Sequence, residues 1–438
     1  MKIFKQAISL ILLASMILLM GCTGSPASKP TGSTDSPAGT ASTPVKPLKT
    51  TNLMAGVTAS GSVSADPSAL IKNGPQAADF AIRLMQAANE DGKNTLVSPL
   101  SVMSALAMTL NGAEGETLAE MERVLGMSRD ELNGYFSSCM KALAEGGDAQ
   151  LSLANSIWFT ADDHLSVNRD FLQCNADHFG ADIYKAPFDD TTLKDINDWV
   201  SENTHGMIPA ILDRISPDEI MYLINALAFE AEWQSVYSED KVRPGEFTTE
   251  SGEVKDSDFM YSEEKEYLSC PNATGFMKPY KGGKYAFAAL LPNEGVTVAE
   301  LLSSLDGQTL YDMLSAPSAE RVYTSMPKFE TAYDTEMSNV LKAMGMPKAF
   351  DSEAADFSGL GTSTEGNIYI SRVIHKTFIS VGEKGTRAGA ATAVAMAYGS
   401  AFIEQPKTVF LDRPFIYMLV DLETNTPFFI GTMMEPGK

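Results

Sequence analysis

Residue types able to do covalent chemistry are sparse in this chain, and none stands in a catalytic spacing. The four histidines, His164, His178, His205 and His375, form no i, i+4 pair that would set two imidazoles on one helix face for a metal. There is no Cys-x-x-Cys, no Gly-x-Ser-x-Gly nucleophile elbow and no glycine-rich phosphate cradle. Ser-x-x-Lys tetrads occur, among them Ser138-Cys139-Met140-Lys141 and Ser325-Met326-Pro327-Lys328, with the spacing of a lysine-activated acyl-transfer serine. The Ser-Asp-Asn and Lys-Thr-Gly partners of such a site are missing, and chance matches to a two-residue pattern are expected in 438 residues. Asn272-Ala273-Thr274 has the form of a glycosylation sequon but reads as a surface turn after Cys270-Pro271. Catalysis has no foothold.

The chemistry that remains is that of a segment acted upon, at Glu383–Ser400. From Thr386 the even positions read Thr386, Ala388, Ala390, Thr392, Val394 and Met396; the odd ones read Arg387 and then only Gly and Ala up to Ala397. That period-2 pattern of small side chains suits a tightly covered central strand. Its Gly and Ala content nevertheless makes it a poor strand by propensity, and an Ala-rich helix fits the composition equally well. The flanking elements have to decide.

At the N-terminus Lys2 and Lys5 precede an apolar run from Ala7 to Met20, closed by Leu19-Met20-Gly21-Cys22. The run is short for a membrane span and ends in a small residue before cysteine, as exported precursors do. This resembles the lipobox of bacterial lipoproteins, which implies a signal peptide over 1–21 and lipidation at Cys22; the alternative is plain cleavage and secretion. Residues 22–67 are rich in Ser, Thr, Pro, Gly and Ala and are expected to form a flexible tether, since so few apolar side chains cannot offset the entropy of ordering. Some 45 such residues reach about 35–40 Å in root-mean-square terms.

The remaining 370 or so residues, about 68–438, carry no second linker and no internal repeat, which favours one large domain. A net charge of −23 argues against nucleic acid and against direct docking on anionic lipid. Beyond Cys22, the widely spaced Cys139, Cys174 and Cys270 make no disulfide framework. Helical patterns begin near Ala77, over Ser101–Thr109 ahead of Asn111-Gly112, and over Ile196–Thr204. Strand patterns cover Leu151–Phe159, Met221–Trp233, Tyr285–Leu291, Arg321–Phe329, Ile368–Ile379 and Phe415–Val420. Helices cluster early and strands dominate late, so the class is α+β with large sheets.

From about Ala69 to Pro436 these segments resemble the serpins. The motifs carrying the resemblance run in family order: Asn94–Gly112; Ile196–Leu212; Leu223–Trp233; Met326-Pro327-Lys328-Phe329; Leu341–Met346; Val373-Ile374-His375-Lys376; Glu383–Thr392; and Arg413-Pro414-Phe415 with Phe428-Phe429-Ile430-Gly431. The resemblance implies three β-sheets surrounded by about nine helices, with an exposed reactive-centre loop at about 383–408. It implies a shutter cluster of Ser98, Ser101, Asn225 and His375 beneath the main sheet, and a breach at Trp233. Lys328 and Glu330 are taken as structural.

Function follows from the same resemblance. The loop would serve as protease bait, and after cleavage its hinge (Glu383, Gly385, Thr386, Ala388, Ala390, Thr392) would insert as a new central strand. The even-numbered residues would then face the core, and Arg387, standing where the family carries an acidic residue, would face outward. Family spacing puts the scissile bond between Gly399 and Ser400, fitting elastase- or subtilisin-like targets. A slip by one puts Tyr398 in the specificity pocket, a chymotrypsin-like preference, and Met396 is a further option. Expected alongside are a monomer, no cofactor, no nucleic acid, and a membrane only through the lipid anchor. A non-inhibitory serpin is the alternative, and cysteine proteases stay open as targets.

Overall fold

The computed structural model describes residues 49–386 and 406–437, apart from Ser62, Ser64, Gly146, Asp162, Asp163 and Glu365. The signal peptide, Cys22, and the loop residues from Arg387 through Ala388, Ala390, Thr392, Tyr398, Gly399 and Ser400 lie outside the described residues.

The central element is a seven-stranded sheet. Its strands run in the order Thr51–Asn52, Asp182–Ala186, Gln150–Thr160, Met221–Glu232, Gly385–Thr386, Arg372–Gly382 and Phe329–Glu336. A six-stranded sheet holds Tyr285–Pro292, Phe415–Asp421 and Thr426–Met433 at its centre. A four-stranded sheet is built from Lys407–Phe410, Val322–Pro327, Val254–Glu264 and Val242–Thr248. A small fourth sheet pairs Leu165–Val167 with Gly361–Ser363. Ten α-helices occur among the described residues, so the expected α+β fold of three large sheets ringed by helices is the fold observed.

The apolar run of Met221–Glu232 makes sense only in this setting. Tyr222, Ile224 and Ala226 face a cluster with Trp158, Ile196 and Val200 from beneath the covering helix Asp190–Asn203. Leu227, Phe229 and Ala231 face the opposite core with Trp233, Tyr280 and Phe287. A strand covered on both faces has no polar side to show, and its sequence loses the alternation of a half-exposed strand.

Several boundaries differ from expectation, among them the following three. The chain joins the fold well before residue 68. Thr51–Asn52 extends the central sheet beside Asp182–Ala186, Leu53 N–H donates to Ile183 O (2.8 Å), and Gln173 Nε2 donates to Thr58 O (2.9 Å). Leu53, Met54 and Val57 pack on the core, an apolar trio hidden by the polar average of the segment. The single strand expected over Arg321–Phe329 is two: Val322–Pro327 belongs to the four-stranded sheet and Phe329–Glu336 to the central one, the chain changing sheets at Lys328. The strand expected from Ile368 starts at Arg372, with Ile368 and Ile370 buried in the connection ahead of it.

Candidate functional site

The two central strands are paired over only part of their length. Arg372–Thr377 runs parallel to Tyr222–Leu227, one residue opposite another, and the direct pairing stops there. Above that point Gly385–Thr386 sits between them. Thr386 is opposite Ala231 on one side and Val381 on the other, and Gly385 opposite Glu232 and Gly382. The hinge has therefore already entered the sheet by two residues. Thr386 is 1% exposed, with its Oγ1 2.5 Å from the hydroxyl of buried Tyr280, so the first even position points into the core. A Cβ on Gly385 would lie 2.0 Å from Ala231 O, an approach only glycine permits. Gly385→Ala is accordingly expected to cost about 1–3 kcal/mol and to expel Thr386. Thermal unfolding and hydrogen exchange over 383–386 would measure both effects.

Several contacts hold this turn. Trp233 donates its indole Nε1–H to Gly382 O (2.8 Å) and its backbone N–H to Lys384 O (2.8 Å), and Tyr237 N–H donates to Glu383 O (2.9 Å). Lys328 is more than a structural residue, because its ammonium lies 2.5 Å from the Glu383 carboxylate and 3.5 Å from Asp258. Glu330 accepts from Ser380 Oγ at the surface of the sheet (2.8 Å). The Glu383 contact spans 55 positions of sequence, so no local pattern announces it.

Lower down, Asn155, Asn225 and His375 lie side by side on three adjacent strands. His375 Nδ1 is 2.5 Å from Asn225 Oδ1, and Ser98 N–H donates to His375 Nε2 (3.1 Å). These partners fix the neutral tautomer with its proton on Nδ1. Burial pushes the imidazole down to about 3, since nothing around it rewards a second proton. Ser101 Oγ lies 3.4 Å from both Asn225 Oδ1 and Asn155 Oδ1. Ser98 serves twice, because its Oγ also caps the helix Pro99–Leu110 by accepting from Ser101 N–H. The structure thus gathers Ser98, Ser101, Asn225 and His375 in one place and adds Asn155. A lone asparagine in a strand pattern gave no signal of that membership.

A sheet parted at one end, two residues entering the gap and a buried polar cluster across the seam make up the site. The family model described as Serpin (serine protease inhibitor) matches residues 75–436. The chain belongs to the serpin family. Tengpin, a thermophilic serpin, is 44% identical in its native state, with a TM-score of 0.82, covering 88% of this chain and all of that one. Its latent state gives 46% identity and a TM-score of 0.74 over 84% of this chain and 98% of that one, so the geometry here is nearer the native form. Among curated relatives, an uncharacterized serpin-like protein of Thermococcus kodakarensis is 31% identical, covering 82% of this chain and 84% of that protein. Leukocyte elastase inhibitor A of Mus musculus is 28% identical over 82% of this chain and 97% of its own length. Serpins act on target proteases, and inhibitory relatives of this kind support protease inhibition in general.

Proposed function

We propose that this protein inhibits extracellular serine endopeptidases as a suicide substrate. The observation that carries the proposal is the seat of Thr386, inward and already between the central strands. The same parity places Ala388, Ala390, Thr392, Val394 and Met396 inward as insertion proceeds, every one small or apolar. In the proposed reaction the protease's serine oxygen attacks the Gly399 carbonyl carbon. The bond to Ser400 breaks, the Ser400 nitrogen takes up a proton and leaves as an amine, and Gly399 remains esterified to the protease. Insertion of about fifteen residues at ~3.3 Å each then carries the ester ~50 Å, before water can hydrolyse it. A small or permissive specificity pocket suits Gly399; cleavage after Tyr398 would suit a chymotrypsin-like one.

Incubation with a panel of elastase-, subtilisin- and chymotrypsin-like proteases, followed by denaturing electrophoresis, tests this. The expected product is a covalent complex at the summed mass, with the adduct mapping to Gly399. Clean cleavage without a complex for every protease would make this a non-inhibitory serpin. We further propose export with lipidation at Cys22, holding a monomeric inhibitor at the outer side of the cell envelope. Mass spectrometry of the mature N-terminus would find either the acylated cysteine or a free end.

A further inference from the structure

A buried cation sits where the three large sheets meet. Lys278, on the Ala273–Pro279 strand of the six-stranded sheet, is 1% exposed, and its ammonium lies 2.8 Å from Glu264. Glu264 ends the Val254–Glu264 strand of the four-stranded sheet and is itself 7% exposed. The same ammonium stands 4.4 Å from the centroid of the Tyr237 ring and 5.5 Å from that of Trp233, just past the end of the central strand. Ser262 Oγ completes the shell, 2.6 Å from Glu264 Oε1 and 3.3 Å from the Tyr237 hydroxyl.

Stability alone is a poor reason to keep such a pair, since apolar residues of similar volume usually serve a core as well or better. Its position suggests another. The two rings beneath the cation belong to the residues whose backbone N–H groups hold the hinge turn, Trp233 at Lys384 O and Tyr237 at Glu383 O. Trp233 also grips Gly382 O through its indole and stacks at 4.4 Å on Tyr280, the residue in contact with Thr386. A desolvated cation over aromatic faces is strong enough to orient them.

We propose that Lys278 and Glu264 form a positioning pair for the hinge. Lys278 holds the Trp233 and Tyr237 rings in the orientation that keeps Thr386 seated between the central strands, and Glu264 fixes the ammonium over them. The pair rests on the insertion mechanism proposed above, and neither residue touches the bond that is cut.

Two double variants separate positioning from packing. K278M/E264L replaces the pair with apolar side chains, and K278E/E264K keeps an ion pair while setting a carboxylate toward the rings. Hydrogen exchange of the uncleaved protein would be read over 382–386 and, as an internal control, over Tyr222–Leu227. Both variants should unfold near the wild-type midpoint. Both should exchange roughly tenfold faster at the hinge and unchanged at the control strand. Lys278→Arg, which keeps a cation over the rings, should stay close to wild type. With a trapped protease, both double variants should also need more inhibitor per protease inactivated. Wild-type hinge exchange in both, or an equal rise at hinge and control strand, would overturn the positioning role and leave only packing. Should one double variant fail to fold, the other decides. A wild-type protein that traps no protease would sink the inhibitory mechanism, while hinge exchange would still decide what the pair does.

Discussion

Thr386→Arg is expected to turn the inhibitor into an ordinary substrate of the same protease. Thr386 is sealed between the central strands, against Tyr280. An arginine there would bury a charge with no carboxylate opposite it, at a cost of several kcal/mol, and the hinge would swing out instead. Cleavage would still occur, but deacylation would outrun insertion. The measurable result is a stoichiometry of inhibition raised more than about tenfold, since each 1.4 kcal/mol on the insertion barrier slows it tenfold. Ala390→Pro should act two inward positions further along the pattern, by removing an N–H from the incoming strand. If either variant traps protease as efficiently as wild type, the parity assignment is wrong.

The second large effect is on stability against pH, through His375. Its imidazole titrates near 6.5 when unfolded and is pushed down to about 3 by burial in the fold. Between those values the unfolded chain binds more protons, so stability rises with pH and is lost as pH falls from 6.5 toward 3. At pH 5 the loss from this group is about 2 kcal/mol, since each unit of displacement is worth about 1.4 kcal/mol. Chemical denaturation between pH 8 and pH 5 should show it. His375→Gln, whose amide can donate to Asn225 and accept from Ser98, should remove that part of the slope while leaving the carboxylate contributions. An equal slope in both proteins would mean that His375 does not carry the dependence.

How much of this was legible beforehand depended on whether the signal was local. The parity of the hinge was readable, because a two-residue period in small side chains is the signature of a covered strand. Ser98, Ser101, Asn225 and His375 were reachable through the family resemblance, and the structure supplies the partner that burial demands for each. The role of Lys328 was not legible, because its partner Glu383 arrives from the end of a strand 55 positions further along the chain. The seat of residues 50–60 was missed because averaging a polar segment hid Leu53, Met54 and Val57. The break at Lys328 was missed because both sheets ask for the same alternation, and periodicity alone does not tell which sheet a residue joins.

Under the proposed insertion mechanism, the partial pairing of the central strands also sets how long the molecule keeps its activity. Only six residue pairs, Tyr222–Leu227 against Arg372–Thr377, close the seam, and they form a parallel ladder. A strand driven between them would exchange that one ladder for two antiparallel ones, and antiparallel pairing is the stronger per residue. On the proposed mechanism the uncut form then persists because of a barrier, not because it lies lowest in free energy. Its shelf life is a rate, steep in temperature, and a warm pause without protease would spend the molecule as surely as an encounter. Comparisons of variants therefore call for half-lives of retained activity beside melting points.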